Sequence, residues 1–477
     1  MKKPSFTTVQ VPIERFSAKG YGVGFASKSE GSPKHKVEVP HTVPGDTVQV
    51  EIGRKHAGSF HGFSPQILTP SPDRVPTPCI HATSCGGCVW QQLKYAHQVK
   101  YKQKFVEDLF QPYLSDTVQV SPVIECETPW FYRNKMEYTF SQNKAGEKFL
   151  GLIMTGGKGR VLNLTECHLT HPWFQETVGA VRSFWQDSSL QAYNMRVNQG
   201  SLRTLTLRKG THTRDRLAML TVSGHPEYAL KHVELDGLIK ALLAVVPEEE
   251  RERYSIFLRI QQLLKGSATQ FYEMHLHGPD CLTEQISLSE QGRTFSFKIS
   301  PTAFFQPNTL QAEKLYSKAL EMVGSKQLRH VLDLYAGTST LGILFSSKAD
   351  QVTSIEINPH AVFDAEVNKE WNAVSNLTVK KGDVAEVLAE LRTDPSFHPD
   401  LVVLDPPRSG LDPKALAHVA GLMPEKILYI SCNPSTQAEN VQYFTLQGYV
   451  VIAVQPVDQF PHTIHIENIC LLKRMDP

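Results

Sequence analysis

No stretch of this 477-residue sequence approaches the roughly 20 consecutive apolar residues that a membrane-spanning helix needs. Met1-Lys2-Lys3-Pro4 leads into polar residues without the apolar core of a secretory signal. Both absences make a cytoplasmic location the expectation. An excess of one charge is missing too: 49 Lys and Arg stand against 48 Asp and Glu, so the total does not mark a nucleic-acid binder. Cysteine is scarce, with eight in the chain, which argues against the disulfide framework of a small secreted domain. Internal repeats and low-complexity tracts are also lacking. What remains is a chain of 41% hydrophobic and 20% charged residues, the profile of a soluble globular protein. Its length suggests about three domains.

The charge that is present is unevenly placed. Residues 1–70 hold nine Lys and Arg against five Asp and Glu, and Lys94, Lys100, Lys102 and Lys104 crowd the next segment. Such faces bind phosphates without a basic total. Within 5–68, Thr7–Val11, Val37–Val39 and Thr47–Ile52 alternate like strands, with turn signals at Gly20, Gly22, Gly24 and Pro44-Gly45-Asp46. A small β-barrel is expected there. Five prolines over 64–79 predict an extended linker.

The chain over 71–285 is read as that linker followed by an α+β middle domain. Helical spacing is found at 91–111, around 172–186 and at 235–246, and strand-like runs at Lys135–Phe140, Leu202–Leu207 and Leu217–Val222. Residues 286–477 change character. Short apolar strands (Val331–Leu334, Val352–Ile357, Leu377–Lys380, Leu401–Leu404 and Ile427–Ile430) alternate with helical segments such as Ala361–Ala373. That pattern predicts an α/β, doubly wound, Rossmann-like domain, with ligands beyond the carboxyl ends of the strands.

Acidic and glycine residues fall at those ends. Asp333-Leu-Tyr-Ala-Gly-Thr-Ser-Thr340 follows the first strand, Glu356 closes the second, Gly382-Asp383 follows the third and Asp405-Pro-Pro-Arg408 the fourth. A carboxylate about twenty residues past a glycine turn suits a ribose diol, in a dinucleotide or in a phosphate-free nucleoside. Only Gly337 remains of a G-x-G-x-x-G turn, which favours the second. Glu356 would then take the ribose hydroxyls and Asp383 the adenine amino group.

Two further groups carry chemistry. Cys432, in Ile430-Ser-Cys-Asn-Pro434, directly follows an apolar strand on the cofactor side. A thiolate there could add to C6 of a uracil and make C5 nucleophilic enough to accept a methyl group; a base must then remove the C5 proton. Glu467, in Phe460-Pro-His-Thr-Ile-His-Ile-Glu467, is the candidate base. Separately, Cys79-x5-Cys85-x2-Cys88 and the downstream Cys167 form a four-thiol set whose spacing fits zinc or an iron–sulfur cluster equally.

Phe304-Phe-Gln-Pro-Asn308, Asp333–Thr340, Asp405-Pro-Pro-Arg408, Ser431-Cys-Asn-Pro434 and Phe460-Pro-His-Thr-x-His-x-Glu467 together resemble the RNA uracil-5-methyltransferase family. The resemblance implies S-adenosyl-L-methionine as cofactor, bound by Gln306, Tyr335, Thr340, Glu356, Asp383 and Asp405. It implies Cys432 as nucleophile and Glu467 as base. The cysteines resemble those of a subgroup carrying a [4Fe-4S] cluster, which implies Cys79, Cys85, Cys88 and Cys167 as ligands in a structural role. Ile13–Gly24 and Val43–Asp46 resemble a TRAM domain, implying an RNA-binding barrel. The combination is closest to members acting on ribosomal RNA, with transfer RNA the alternative; a monomer is expected. Family members commonly read C-G-x-G where this chain has Ala336-Gly-Thr-Ser339, so Ser339 is strained if its position needs a positive φ. Two rivals are weaker. A cytosine-5-methyltransferase would place a cysteine beside Asp405-Pro-Pro-Arg408, which has none nearby. An iron–sulfur RNA-binding protein with a degenerate catalytic domain would have no use for Cys432 and Glu467.

Overall fold

The alternating residues near the N-terminus close a five-stranded barrel. Its strands are β1 (Thr7–Phe16), β2 (Gly22–Ala26), β3 (His35–Val39), β4 (Thr47–Ile52) and β5 (Phe60–Thr69), in the order β1-β2-β3-β5-β4. Val9, Val11, Ile13, Val37, Val39, Val48, Val50, Ile52 and Phe60 point inward and form its core. The structure is a computed structural model that describes residues 6–475 other than 30, 54, 56, 57, 158, 264, 265, 289–291 and 395. Met1–Pro4, read above for a signal, lie outside the described residues. The linker predicted from residue 64 begins later, because β5 continues to Thr69. Pro65 is tolerated because it falls where the β4–β5 register shifts, between the pairs Glu51↔Phe63 and Gln49↔Gln66. At such an irregularity a missing N–H costs no ladder bond. Buried Asp46 fastens the barrel to the linker, accepting from Val43 N, Ser71 N and the Arg74 guanidinium.

Helix α1 (Tyr95–Phe110) follows. The middle domain is a six-stranded sheet of β6 (Lys135–Gln142), β7 (Lys148–Gly151), β8 (Leu202–Lys209), β9 (Arg216–Ser223), β10 (Tyr254–Gln262) and β11 (Gln270–His277), ordered β11-β10-β9-β8-β6-β7. Helices α2 (Pro172–Asp187) and α3 (His232–Leu243) supply Trp173, Phe174, Val178, Val181, Trp185, Leu238 and Leu242 to its core. A two-stranded ribbon, β12 (Leu282–Leu288) with β13 (Arg293–Ile299), leads out of it, so the division at 285/286 falls inside β12.

After α4 (Thr309–Val323), the last third builds a seven-stranded sheet of β14 (Leu328–Leu334), β15 (Ala349–Glu356), β16 (Leu377–Lys381), β17 (Leu401–Leu404), β18 (Lys426–Ser431), β19 (Tyr449–Val457) and β20 (Glu467–Arg474). Helices α5 (Thr340–Phe345), α6 (Pro359–Trp371), α7 (Val384–Leu391), α8 (Pro413–Gly421) and α9 (Pro434–Leu446) alternate with them. The order is β16-β15-β14-β17-β18-β20-β19, with β20 antiparallel to both neighbours. The chain reverses its winding between β14 and β17, so the carboxyl ends of the strands flank a crevice there. Residues 95–124 lie within the segment assigned by sequence to the middle domain, yet they pack on this sheet. Val99, Val106 and Phe110 share a core with Leu332, Leu404 and Tyr429, and Val120 and Ile124 bridge to β19. Among the described residues, no helix is long and apolar enough to cross a membrane.

Candidate active site and cysteine cavity

At the carboxyl ends of the strands opens a cavity of about 640 Å³. Its walls include Gln306, Tyr335, Thr340, Glu356, Asp405, Cys432 and Glu467. Five elements deliver five of these side chains. The loop after β14 carries Tyr335, α5 starts at Thr340, β15 ends at Glu356, β17 runs into Asp405 and β18 into Cys432. Glu467 comes from the opposite direction, because β20 is antiparallel and its first residue pairs with Val457, the last of β19. One reversed strand thus brings residue 467 to the same edge as residue 432.

The turn after β14 is held in left-handed backbone at three residues: Tyr335 (φ 60°), Gly337 (φ 55°) and Ser339 (φ 55°). For Ser339 this realises the strain foreseen from the sequence, at a cost of about 1–2 kcal/mol. Glu356 stabilises the turn, accepting from Gly337 N at 2.8 Å and from Asn358 N at 2.7 Å. Asp383 behaves differently. It does not line the cavity, and its Oδ1 caps α7 by accepting from Ala385 N and Glu386 N. Gln306 is buried with its side-chain oxygen 3.5 Å from Gln459 Nε2, and Asn308 beside it caps α4 through Gln311 N.

The cavity is rich in buried acid. Asp333 accepts from Gly342 N and Ser354 Oγ through Oδ2, leaving Oδ1 with no partner. Burial pushes its carboxyl up to about 7. Burial does the same to Asp405, again to about 7. Glu467 is held well above the usual carboxylate range, by burial first and then by Asp405, against the opposing pull of Arg408; its Oε2 is orphaned. Burial, Glu467 and Asp405 push the Cys432 thiol up to about 11, while Arg408 works to lower it. A cavity with orphaned carboxylate oxygens and few cations of its own fits a positively charged guest.

Three residues that the sequence reading quoted or passed over without a role stand at this site. Arg408 lies beside the Cys432 thiol, with Nη2 3.0 Å from His465 Nδ1. His465 can accept that bond because burial, reinforced by Arg408, depresses its imidazole to about 4 and keeps it neutral. Arg133 lines the cavity from the middle domain, and Phe304 lines it with its ring largely exposed. Arg408 and Phe304 could have been found from the motifs around them; Arg133 offered no sequence signal.

A second cavity, of about 670 Å³, shares Arg133, Arg408 and Phe460 with the first, and Cys79, Cys85, Cys88 and Cys167 all line it. The Cys85–Gly87 strap is tied to the middle domain through Gly86 N to Ile153 O and Thr155 Oγ1 to Cys85 O. The expectation of a metal centre meets a qualification here. Among the described residues, no three His, Cys, Asp or Glu side chains converge as ligands of one ion must.

Comparison with known proteins bears on the strand-end cavity. Residues 273–475 match the family model described as tRNA (Uracil-5-)-methyltransferase. The chain is 47% identical over 440 residues to an uncharacterized RNA methyltransferase of Protochlamydia amoebophila, covering 91% of this chain and 99% of that protein. It is 33% identical over 474 residues to one from Caldanaerobacter subterraneus, covering 98% of each. Among solved structures, the Pyrococcus abyssi tRNA (uracil-54, C5)-methyltransferase in complex with S-adenosyl-L-homocysteine matches 97% of this chain and 99% of its own. The TM-score is 0.72 at 22% identity, a likeness of fold.

Proposed function

The chain belongs to the S-adenosylmethionine-dependent RNA uracil-5-methyltransferase family, and from that premise we propose that Cys432 and Glu467 carry out the methylation as nucleophile and base. The observation that carries this reading is their meeting, from opposite strand directions, in one acid-rich cavity. The Cys432 thiolate adds to C6 of the uracil, forming the S–C6 bond and shifting the C5–C6 π electrons onto C5 and the adjoining carbonyl. S-Adenosylmethionine, when bound, would supply the methyl group as an electrophile, the C5–CH3 bond forming with the C5 electron pair as the sulfonium S–CH3 bond breaks and S-adenosylhomocysteine leaves uncharged at sulfur. Glu467 takes the proton from C5; the electrons of that C–H bond restore the C5–C6 double bond, and the Cys432 thiolate leaves. Gln306, Tyr335, Thr340, Glu356 and Asp405 hold the cofactor, with Glu356 facing the ribose hydroxyls. Asp383 completes this set through the oxygen its helix cap leaves free. Arg408 favours the thiolate, and Phe304 is placed to stack on a base extruded from the RNA.

Ribosomal RNA, specifically 23S, is the proposed substrate. The barrel with its basic surplus acts as a TRAM-like RNA-binding module, and the ribosomal reading rests on the resemblance of barrel, four-cysteine set and catalytic domain together to the ribosomal RNA members. Transfer RNA is the second reading, favoured by the solved structure of similar fold, which is that of a tRNA enzyme. Incubating the purified enzyme with ribosomal and transfer RNA that both lack 5-methyluridine separates the two. New 5-methyluridine is expected at one 23S position, and modification confined to transfer RNA would overturn the ribosomal assignment.

Cys79, Cys85, Cys88 and Cys167 hold a [4Fe-4S] cluster in this reading. A cluster takes one thiolate on each of its irons, so what supports this reading is that all four thiols line one cavity. Protein purified anaerobically is expected to carry iron and labile sulfide, both lost in Cys88→Ser together with a lower melting temperature. Zinc in place of iron would refute the cluster.

A further inference from the structure

The nine residues from Asp458 to Ile466 join β19 to β20 and supply Phe460 to both cavities and Thr463 and His465 to the cysteine cavity. This loop is gripped from every side. Gly20 of the barrel abuts Ile464, and Val89 N and Trp90 N both donate to His462 O at 3.1 Å. Trp130 stacks on the His462 ring at 3.7 Å, and Tyr132 donates to Pro461 O. His462 itself is held at φ 66°, a conformation that persists only where the surroundings impose it.

The strongest grip comes from α1. Lys102, 1% exposed, donates from Nζ to Asp458 Oδ1 at 2.6 Å and to Phe460 O at 3.0 Å. Asp458 is fully buried and also accepts from Tyr95 Oη and Phe460 N. One turn earlier, Gln98 accepts from His462 N at 2.8 Å, with its Nε2 3.1 Å from His462 Nδ1. Gln459 then passes the contact on, with Nε2 facing Gln306 and its carbonyl accepting from Asn308. At the other end of the loop, His465 meets Arg408, which lies against Cys432.

We propose that Lys102 is a positioning residue for methyl transfer. Its buried salt bridge to Asp458 fixes the β19–β20 loop so that His465 holds Arg408 against Cys432 and Phe460 walls the cavity. An ion pair taken fully out of water is a poor source of stability, since an apolar or neutral replacement of both partners is often neutral or better. Its geometric demand is strict, and here it is spent on a loop that touches the reacting thiol through a single arginine. The inference rests on the reading of Cys432 given above.

Two variants test it. Lys102→Met alone strands the Asp458 charge in the interior and should lower the melting temperature. Lys102→Met/Asp458→Asn removes both charges, keeps one acceptor oxygen for Phe460 N and turns its amide N–H towards Tyr95 Oη, which can accept it, and should recover that melting temperature. The neutral pair is expected to keep its affinity for S-adenosylmethionine while kcat with 5-methyluridine-free RNA stays down by about 10²-fold, the scale of an ångström-sized misplacement. A double variant that regains both stability and turnover, or one that does not fold, would show the pair to be structural only and overturn the proposal. Failure of the underlying reading would be seen separately, as activity retained by Cys432→Ala.

Discussion

Cys432→Ala is expected to abolish methyl transfer to RNA while leaving fold, cofactor affinity and iron content intact. Without a nucleophile, C5 of uracil is not activated, and the loss should reach about 10⁴-fold or more, equivalent to about 5.5 kcal/mol of transition-state stabilisation. The fold should tolerate the change because the side chain is only half buried and stands at a cavity wall. Removing one sulfur there costs about 1 kcal/mol or less. Tyr335, Thr340 and Glu356 are positioned by β14, α5 and β15, not by the strand end that carries Cys432, so titration with S-adenosylmethionine should give the wild-type affinity. Transfer of a radiolabelled methyl group above a few per cent of the wild-type rate would remove Cys432 from the role. In the wild type, burial and the neighbouring acids push the thiol up to about 11. Below that value the thiolate fraction grows about tenfold per pH unit, so the single-turnover rate should climb from pH 6 to 8. A flat profile would mean that thiolate formation does not limit the reaction.

The parts of the site that were legible in the sequence are those governed by local rules. Strand-end placement put Glu356, Asp405 and Cys432 on one edge, because a parallel sheet has only one carboxyl edge. Glu467 was legible as a motif residue, but the reversed strand that brings it there depends on the β18–β20–β19 pairing, which no local pattern encodes. Ser339 shows a local rule at work: where the resemblance implies glycine, the backbone here is left-handed, at φ 55°. Asp383 shows the limit of such rules, since a strand-end acid serves equally as a helix cap, and the structure uses one of its oxygens in that way. Pro65 misled for the same reason, because a proline signals a break without saying whether a bulge can absorb it. Lys102 and Asp458 lie 356 residues apart, and the basic stretch around Lys102 reads as a phosphate-binding face although Lys102 itself is buried. Arg133 reaches the cavity from another domain. Such long-range partners become visible only once the middle domain and the catalytic sheet are packed together.

Glu467→Gln should trap the reaction halfway. Glutamine preserves the shape and one acceptor oxygen of the glutamate, so the first residue of β20 keeps its place opposite Val457. It also relieves a strained situation, since the carboxyl is buried beside Asp405 with one oxygen unpartnered. The variant is therefore expected to be at least as stable as the wild type, and C6 addition and methyl transfer do not call on Glu467 as an acceptor. Proton removal from C5 does. An amide cannot take that proton, so the C5–C6 double bond cannot re-form and the sulfur cannot leave. The outcome is an RNA covalently joined to Cys432 and carrying the new methyl group, visible as a band that resists denaturation and requires S-adenosylmethionine. Tritium release from RNA labelled at uridine C5 should fall by about 10²–10⁴-fold, the usual worth of a general base. The double variant Cys432→Ala/Glu467→Gln should form no adduct, which separates a thiol-linked species from any other crosslink. If Glu467→Gln releases tritium at the wild-type rate without forming an adduct, the proton goes elsewhere, and Asp405, also buried and held near 7, becomes the acceptor to test.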